Sequence, residues 1–352
     1  MSIVRVKLAA GTDVGLVRQN NEDNFVVNGD LQKESWIIPQ SSTPIALGKW
    51  GSLLVVADGM GGTNAGEVAS AIAIETIQQK FAPDELEQLF QEKESPSEKT
   101  VCEFMTNAIK AADLNIVNRS KTDSSTQGMG TTIVILWIIE EKAYISWCGD
   151  SRCYVFNAES GICRLSKDHS YVQELVDAGK LDPENAIDHP YSNIITRCLG
   201  DKENRANPDF RSYEFRNGDI FLLCSDGLCG LCTDDEIMQV MADQKDSLSD
   251  CKNALIEAAL SVGGYDNVTV GLCQVVVEEV AESKDLGNTL FNKPVKKHHS
   301  SFFLLFLIVL AVIILCLVYQ VEITSIINTY WEGLKTDTTV VVKDTMNLND
   351  GL

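Results

Sequence analysis

The residues best suited to chemistry in this chain are four small acidic groups, each beside a strand-like run. The central group follows an apolar run at residues 53–57 and places Asp58 ahead of a glycine-rich turn. Glycines there let the backbone turn tightly and approach whatever the carboxylate binds. The other groups are at residues 21–23, 225–227 and 266–267. A single acidic group of this kind is an ordinary junction between a strand and a turn. Four acidic groups brought together by a sheet predict a site for hard divalent cations.

The side chains available as ligands indicate which metal this site would bind. The chain has only four histidines and no His-Glu-x-x-His helix, which argues against zinc or a histidine-rich dinuclear site. Oxygen-only ligation suits Mg²⁺ or Mn²⁺. Two such ions about 3.5–4 Å apart can share a bridging water, lower its pKa and present hydroxide to a phosphorus centre.

A phosphate ester would also need a cation from the protein, and Arg18 lies four residues before Glu22. The guanidinium fork can bind two phosphate oxygens at once. From spacing alone, a surface arginine paired with an acidic neighbour is the simpler interpretation. A phosphatase with a cysteine nucleophile is excluded, because no cysteine has an arginine six positions later.

Composition narrows the class of protein. The 352 residues suffice for one large domain or two ordinary ones, and a net charge of −21 argues against nucleic-acid binding. The first ten residues lack the pattern of a signal peptide, so we expect the catalytic part in the cytosol. The eleven cysteines are then expected to be reduced thiols, most of them core residues in apolar runs.

Hydrophobic patterning predicts strands interleaved with helices. The fully apolar run 133–139 predicts a central strand buried on both faces, and short turns to 143–148 and 153–157 predict a three-stranded antiparallel meander. Further strands are expected at 3–10, 25–27, 210–215, 219–224 and 268–277, with helices at about 64–81, 101–119, 171–178, 234–242 and 249–262.

Six short motifs occur in a fixed order along the chain. They are Arg-x-x-x-Glu-Asp at 18–23, Val-Ala-Asp-Gly-Met-Gly-Gly at 56–62, Gly-Met-Gly-Thr-Thr at 128–132, Gly-Asp-Ser-Arg at 149–152, Ser-Asp-Gly at 225–227 and Gly-Tyr-Asp-Asn-Val-Thr at 264–269. Together they closely resemble the metal-dependent type 2C Ser/Thr protein phosphatases, in the wording of the bacterial branch. The resemblance covers roughly residues 3 to 277.

The resemblance implies an α+β fold: a two-sheet antiparallel β-sandwich with helices on both outer faces, in α-β-β-α layers. It also implies roles for individual residues. Asp58 would bridge two metal ions, with Asp23 orienting the ligands, Arg18 binding the phosphate, and Asp150 and Arg152 bracing a strand turn. The remaining ligands would be Glu22 and the carbonyl of Gly59 for one ion, and Asp226 and Asp266 for the other.

Two departures from the family pattern bear on the chemistry. Relatives often carry an acid just before Met-Gly-Thr-Thr that helps to hold a third ion, whereas Gln127 and Gly128 stand here, which leaves a third ion undecided. Some relatives have a histidine after the Asp-Gly pair that protonates the leaving alkoxide, where this chain has Met60. His169 is the candidate substitute; a histidine beside a helix start, or a metal-bound water, is the alternative. Residues 170–199 match the mobile flap of bacterial relatives.

The expected function is hydrolysis of phosphoserine and phosphothreonine in proteins, by direct attack of hydroxide bridging two Mn²⁺ or Mg²⁺ ions. A Ser/Thr kinase is a candidate partner, and the sequence leaves open whether one is the antagonist. The alternative is a catalytically weak, membrane-tethered scaffold or signalling component with a phosphatase fold. The presence of every core carboxylate favours the enzyme.

One segment predicts a membrane anchor. Residues 302–319 carry no charge and are nearly all Leu, Ile, Val and Phe, and as a helix they would extend about 27 Å. Three lysines precede this span within ten residues, while the next basic residue after it is Lys335, so the positive-inside rule keeps the phosphatase cytoplasmic. The predicted organisation is a catalytic domain at 1–277, a polar linker at 278–301, a single-pass helix at 302–319 in the cell membrane, and a short acidic tail at 320–352.

Overall fold

The computed structural model describes residues 2–33, 35–37, 43–61, 65–90, 96–186 and 189–279. They belong to the first of two compact units, Met1–Ser283; the second is Lys284–Leu352. The strands are β1 (Ser2–Asp13), β2 (Asn24–Asn28), β3 (Ile45–Ala46), β4 (Ser52–Ala57), β5 (Gly59–Met60), β6 (Gly130–Thr131), β7 (Ile133–Ile139), β8 (Lys142–Cys148), β9 (Arg152–Asn157), β10 (Gly161–Arg164), β11 (Asp209–Glu214), β12 (Ile220–Cys224) and β13 (Val268–Glu279). The α-helices are α1 (Gly66–Lys80), α2 (Pro83–Phe90), α3 (Glu98–Thr122), α4 (Tyr171–Asp177), α5 (Asp226–Cys229), α6 (Asp234–Asp243) and α7 (Leu248–Ser261).

Two main sheets form the centre of the described unit. One has six strands in the order β10-β9-β12-β13-β1-β3, and the other has five in the order β11-β8-β7-β4-β2. Strands β5 and β6 form a small separate pair, and every pairing is antiparallel. The prediction of two antiparallel sheets with flanking helices is confirmed.

The core has three apolar layers, as a sandwich between helices requires. Along β7, Ile135 and Trp137 pack on the layer that includes α1 and α3, while Leu136 and Ile138 pack between the sheets. All seven residues of β7 are buried, which confirms the prediction of a strand buried on both faces. A third layer joins the six-stranded sheet to α5, α6 and α7.

The helices follow the apolar spacing of the sequence. Ala69, Ala73 and Ile77 on α1 are buried at every fourth position, as predicted. Helix α3 is longer than expected, because the Ser97 hydroxyl accepts a hydrogen bond from the Thr100 N–H at 3.2 Å and starts the helix before residue 101. The predicted start of α1 at about residue 64 lies outside the described residues.

The predicted three-stranded meander is wrong. Strands β7 and β8 do pair, but β9 leaves their sheet and pairs with β10 and β12 in the other one. The chain crosses at Gly149, whose φ of +121° is a conformation that favours glycine. A Cβ at this position would lie 2.6 Å from the Thr132 side chain, so the crossing also needs the missing side chain.

The predicted membrane helix at 302–319 lies outside the described residues, and so do the linker and tail from residue 280 onward. Within the part of the chain that the structure describes, no helix is both long and apolar enough to span a bilayer. The last described strand, β13, ends at Glu279.

Candidate metal centre and phosphate site

Strand register brings the acidic groups to one end of the sandwich. Asn24 at the start of β2 pairs with Ala57 at the end of β4, which places Asp23 beside Asp58. Cys224 at the end of β12 pairs with both Arg152 and Val270. Since successive positions along a strand are about 3.3 Å apart, the carboxylates that adjoin these strand ends come together. The predicted gathering of acids by the sheets is therefore what the fold produces.

Asp58 lies at the centre of this cluster and is half-buried. Burial raises the pKa of its carboxyl group well above the usual range, and repulsion from Asp23, Asp226 and Asp150 raises it further. Four like charges in one buried place are unfavourable unless protons or cations compensate them. This is the electrostatic signature of a site built for cations.

The Gly-Met-Gly-Thr-Thr motif holds the backbone of Asp58. The Asp58 carbonyl accepts hydrogen bonds from the Thr132 N–H and from the Thr131 hydroxyl, both at 2.8 Å. In return, the Asp58 N–H donates to the Thr132 hydroxyl at 3.1 Å. The two threonines are fully buried, so this motif positions the central carboxylate.

Asp226 faces Asp58, and the two carboxyl groups are close enough to shift each other's pKa, since Asp226 raises that of Asp58. Burial raises the pKa of Asp226 above its usual range. Its Oδ1 atom is buried and has no hydrogen-bond partner among the described residues. A buried polar atom without a partner is costly, which suits an oxygen that serves as a metal ligand.

Asp23 is anchored by two hydroxyl groups. Its Oδ2 atom accepts hydrogen bonds from Ser225 at 2.7 Å and from Thr269 at 2.6 Å. Burial raises the pKa of Asp23 to about 7 against the opposing effect of these hydroxyls. Because Ser225 adjoins Asp226, these bonds also fix one carboxylate relative to the other.

Glu22 and Gly59 meet at the start of α1. The Gly59 N–H donates to the Glu22 carbonyl at 3.2 Å, and a Cβ on Gly59 would lie 2.5 Å from that carbonyl. A Cβ on Gly66 would lie 2.5 Å from Glu22 Oε2, so only glycine allows this approach. Burial raises the pKa of Glu22, and the neighbouring Glu67 adds to the effect.

Arg18 is paired with Asp266 at the edge of the cluster. Its Nη2 atom lies 2.7 Å from Asp266 Oδ2, and its side chain remains 52% exposed. This bond raises the pKa of Arg18, with smaller contributions from Glu22 and Asp226. The structure therefore brings Arg18 to the site, bound to a predicted metal ligand.

His169 is set apart from these carboxylates. Its Nδ1 atom accepts a hydrogen bond from the Gly149 N–H at 3.1 Å, and its Nε2 atom lies 3.3 Å from Asp209 Oδ2. The ring stacks on Trp147 with 6.2 Å between ring centroids. Burial lowers the pKa of His169. The predicted role as a general acid stays a prediction.

Sequence reasoning underrated Asp150, which it assigned only to bracing a turn. Its carboxyl group is buried, and Asp226 raises its pKa after the larger effect of burial. Its Oδ1 atom has no hydrogen-bond partner among the described residues, as for Asp226. The sequence did contain a signal for this residue. The Gly-Asp-Ser-Arg turn follows an apolar strand, as the turn that contains Asp58 does.

Sequence reasoning also passed over a Cys-x-x-Cys pair, Cys229 and Cys232. Both side chains are buried. Burial raises the pKa of Cys232 to about 11, and a hydrogen bond with Cys224, followed by burial, raises the pKa of Cys229. A structural zinc site needs four ligands, and no third His, Cys, Asp or Glu joins this pair in a group able to hold an ion within the described residues, so the pair does not alter the choice of metal.

The donor set fits hard divalent cations better than any other group. As the side chains stand, no three His, Cys, Asp or Glu residues within the described ranges form a group able to hold an ion. The fit rests instead on chemistry: the converging donors are carboxylate oxygens, and two buried carboxylates each have one unpartnered oxygen. Oxygen donors of this kind suit Mg²⁺ and Mn²⁺.

Comparison with known proteins agrees with the site. The family model for protein phosphatase 2C matches residues 42–261. This chain belongs to the protein phosphatase 2C family. It is 32% identical over 270 residues to the protein phosphatase PhpP of Streptococcus pneumoniae, covering 76% of this chain and 97% of PhpP. The predictions of family and of a protein-serine/threonine phosphatase are confirmed.

Solved structures of phosphatases share this fold. The serine/threonine phosphatase of S. agalactiae is 30% identical and superimposes with a TM-score of 0.63, covering 76% of this chain and 99% of that one. The catalytic domain of the serine/threonine protein phosphatase PstP, solved with two manganese ions, is 32% identical with a TM-score of 0.60, covering 78% of this chain and 99% of that one.

Proposed function

We propose that this protein 2C phosphatase removes phosphate from phosphoserine and phosphothreonine in proteins and depends on Mn²⁺ or Mg²⁺. The observation that carries the proposal is the carboxylate cluster around Asp58, in which Asp226 and Asp150 each have a buried oxygen without a hydrogen-bond partner among the described residues. The two manganese ions in the structure of PstP support the choice of metal.

Two ions would divide the carboxylates between them. Glu22 and the carbonyl of Gly59 would hold one, Asp226 and Asp266 the other, and Asp58 both. When bound, the ions would lower the pKa of a shared water and stabilise negative charge on the phosphate. The third ion that the sequence left undecided has one more candidate ligand in Asp150, which lies against Asp226.

Residues of the chain itself would bind the phosphate and orient the carboxylates. Arg18 would leave Asp266 and bind two phosphate oxygens through its guanidinium fork. Thr131 and Thr132 hold the backbone of Asp58, and Ser225 holds the carboxylate of Asp23. These fixed contacts keep the carboxylates oriented, which limits reorganisation during the reaction.

His169 would act as a positioning residue under this proposal. Because Nδ1 accepts the Gly149 N–H, the neutral ring carries its proton on Nε2, which faces Asp209. The ring thus fixes the turn that carries Asp150. A His169→Asn variant should hydrolyse a phosphopeptide and para-nitrophenyl phosphate with equal proportional change. If the variant lost activity only on the phosphopeptide, which has the poorer leaving group, His169 would instead be the general acid.

The enzyme would work at the cytoplasmic face of the cell membrane, opposite a Ser/Thr kinase. The support is the uncharged span at 302–319 and the lysines ahead of it, both features of the sequence. A single helix of that length would anchor the catalytic domain beside membrane-bound substrates.

The decisive experiment is a phosphopeptide assay on the full-length protein. Release of phosphate should require Mn²⁺ or Mg²⁺ and should stop with EDTA. Activity that persists fully in EDTA would refute metal dependence. A properly folded protein with no activity in either metal would instead support the scaffold alternative.

A further inference from the structure

An exposed apolar surface borders the Arg18–Asp266 pair. Two loops form it, one between β1 and β2 and the other between α7 and β13. Its exposed fractions are 68% for Leu16, 61% for Val17, 49% for Val262 and 61% for Tyr265. We call these four side chains the apolar rim. Single exposed apolar residues are ordinary, but a group of them beside a binding residue is typical of an interaction site.

Two consecutive glycines, Gly263 and Gly264, lie beneath side chains of the rim. Gly263 has a φ of +134°, and a Cβ there would lie 2.5 Å from the ring of Tyr265. Gly264 has a φ of +49°, and a Cβ there would lie 3.0 Å from Leu16 Cγ. The Tyr265 ring therefore lies over Gly263, and Leu16 lies over Gly264. The Leu16 N–H also donates to the Gly264 carbonyl at 2.8 Å, which joins the two loops.

The rim is held in place relative to the carboxylate cluster. The buried side chain of Asn267 donates from Nδ2 to the carbonyls of Val14 and Asn20, each at 2.9 Å. Its Oδ1 atom accepts the Glu22 N–H at 2.8 Å. One side chain therefore joins both loops of the rim to the segment that carries Arg18 and Glu22. A ligand bound at the rim would have a fixed position relative to the phosphate site.

We infer that the apolar rim binds an apolar side chain of the substrate protein within two residues of its phosphorylated serine or threonine. This inference rests on the proposed function. Val17 adjoins Arg18, and Tyr265 adjoins Asp266, so the rim is continuous with the residues expected to bind phosphate and metal. In an extended peptide, side chains two residues apart lie on one face and are about 7 Å apart. A peptide whose phosphate is bound at Arg18 can therefore present an apolar side chain to the adjoining rim.

The chemistry of the rim favours such a peptide. Aromatic side chains like Tyr265 supply much contact area at binding surfaces. Apolar surface gains free energy when it exchanges contact with water for contact with an apolar peptide side chain. The net charge of −21 argues against an anionic lipid surface as the occupant.

The test uses three substrates and the full-length protein in Mn²⁺. Two phosphopeptides differ only at the second residue on each side of phosphothreonine, which is Leu in one and Asn in the other. The third substrate, para-nitrophenyl phosphate, has no neighbouring residues. The variant is Leu16→Ser with Tyr265→Ser, and the control is Leu114→Ser, which changes an equally apolar side chain, 47% exposed, on α3.

We expect the wild type and the control to prefer the Leu peptide by about tenfold in kcat/KM, equivalent to about 1.4 kcal/mol. The double variant should reduce this preference to within twofold. Its kcat/KM for para-nitrophenyl phosphate and for the Asn peptide should stay within twofold of the wild type. This pattern would show that the rim recognises the substrate residue that lies two positions from the phosphothreonine.

Three results would overturn the inference. The wild type could cleave both peptides equally, the double variant could keep the preference, or it could lose activity on all three substrates alike. An unchanged preference combined with loss of self-association in sedimentation would assign the rim to a second copy of the chain. If the wild type hydrolyses none of the substrates in Mn²⁺, the proposed function itself fails, a result distinct from the other outcomes.

Discussion

The Nη2 atom of Arg18 lies 2.7 Å from Oδ2 of Asp266. The group expected to bind phosphate is thus paired with a carboxylate expected to bind metal. Both side chains are partly exposed, at 52% and 36%, and ion pairs exposed in this way contribute only about 0–1 kcal/mol. Breaking this ion pair therefore costs little free energy, which would leave Arg18 able to bind phosphate and Asp266 able to bind a cation.

The first prediction concerns Arg18→Ala. We expect KM for a phosphopeptide to rise about tenfold or more, because a charged hydrogen bond to phosphate contributes about 1.5–3 kcal/mol. Affinity for Mn²⁺ in calorimetry should not fall, since the variant frees Asp266 from a competing cation. Arg119→Ala is the matched control, because Arg119 pairs with Asp123 at 3.2 Å on α3, away from the site. Unchanged KM and kcat would reduce Arg18 to a surface charge.

The second prediction separates activity from stability in the carboxylate cluster. Asp58→Asn and Asp226→Asn should each lower kcat by at least about a hundredfold, since loss of even an indirect metal contact costs 10–100-fold. In EDTA, each variant should unfold about 2–4 °C higher than the wild type, because one repelling buried charge is gone. Calorimetric scans in EDTA and in Mn²⁺ check this.

Asp246→Asn is the control for these variants, as Asp246 is exposed. It should match the wild type in activity and in unfolding temperature. The wild type should gain stability from Mn²⁺, whereas the two cluster variants should gain less, because a ligand stabilises only the state that binds it. Equal stabilisation of all four proteins by Mn²⁺ would contradict the assigned ligands.

The third prediction concerns pH and His169. Burial lowers the pKa of this ring below its ordinary value of 6.5, so the folded state favours the neutral form. The stability that it contributes is therefore complete above about pH 6.5 and is lost as the pH falls below that value. Urea unfolding between pH 5 and 8 should show this loss, and His169→Asn should reduce it.

His189→Asn serves as the control, because the Tyr191 N–H that donates to His189 Nδ1 at 3.2 Å can donate instead to the asparagine side chain. It should keep the wild-type dependence of the free energy of unfolding on pH. If His169→Asn leaves that dependence unchanged, burial does not perturb this ring as proposed.

The fourth prediction is the topology. The full-length protein should sediment with membranes and resist extraction by carbonate, while a chain that ends at Leu290 should not. A reporter fused after Leu352 should be extracytoplasmic, because the lysines lie on the other side of the span. Phosphatase activity of the shortened chain in Mn²⁺ controls for folding. A cytoplasmic C-terminal reporter would contradict the orientation.

Much of the site could be predicted from the sequence because its ligands adjoin strand ends. Asp58 and Asp226 each follow a fully buried strand, and a run of apolar residues that stops at an acid is visible without coordinates. Asp150 follows a buried strand in the same way, yet the sequence does not show that its carboxyl group lies near Asp226. That proximity depends on the order of the strands in the two sheets.

The sequence by itself determined the family, the carboxylates on which the proposed metal site rests, and the burial of β7 on both faces. Those features follow from residue types, their order and their spacing, which need no long-range contacts. Only the tertiary structure decided that β9 crosses to the other sheet, that Arg18 pairs with Asp266, and that His169 turns toward Asp209. Alternation reports that a side chain is buried but not against which partner, and partners more than two hundred residues apart, such as Arg18 and Asp266, meet only when the sheets have formed.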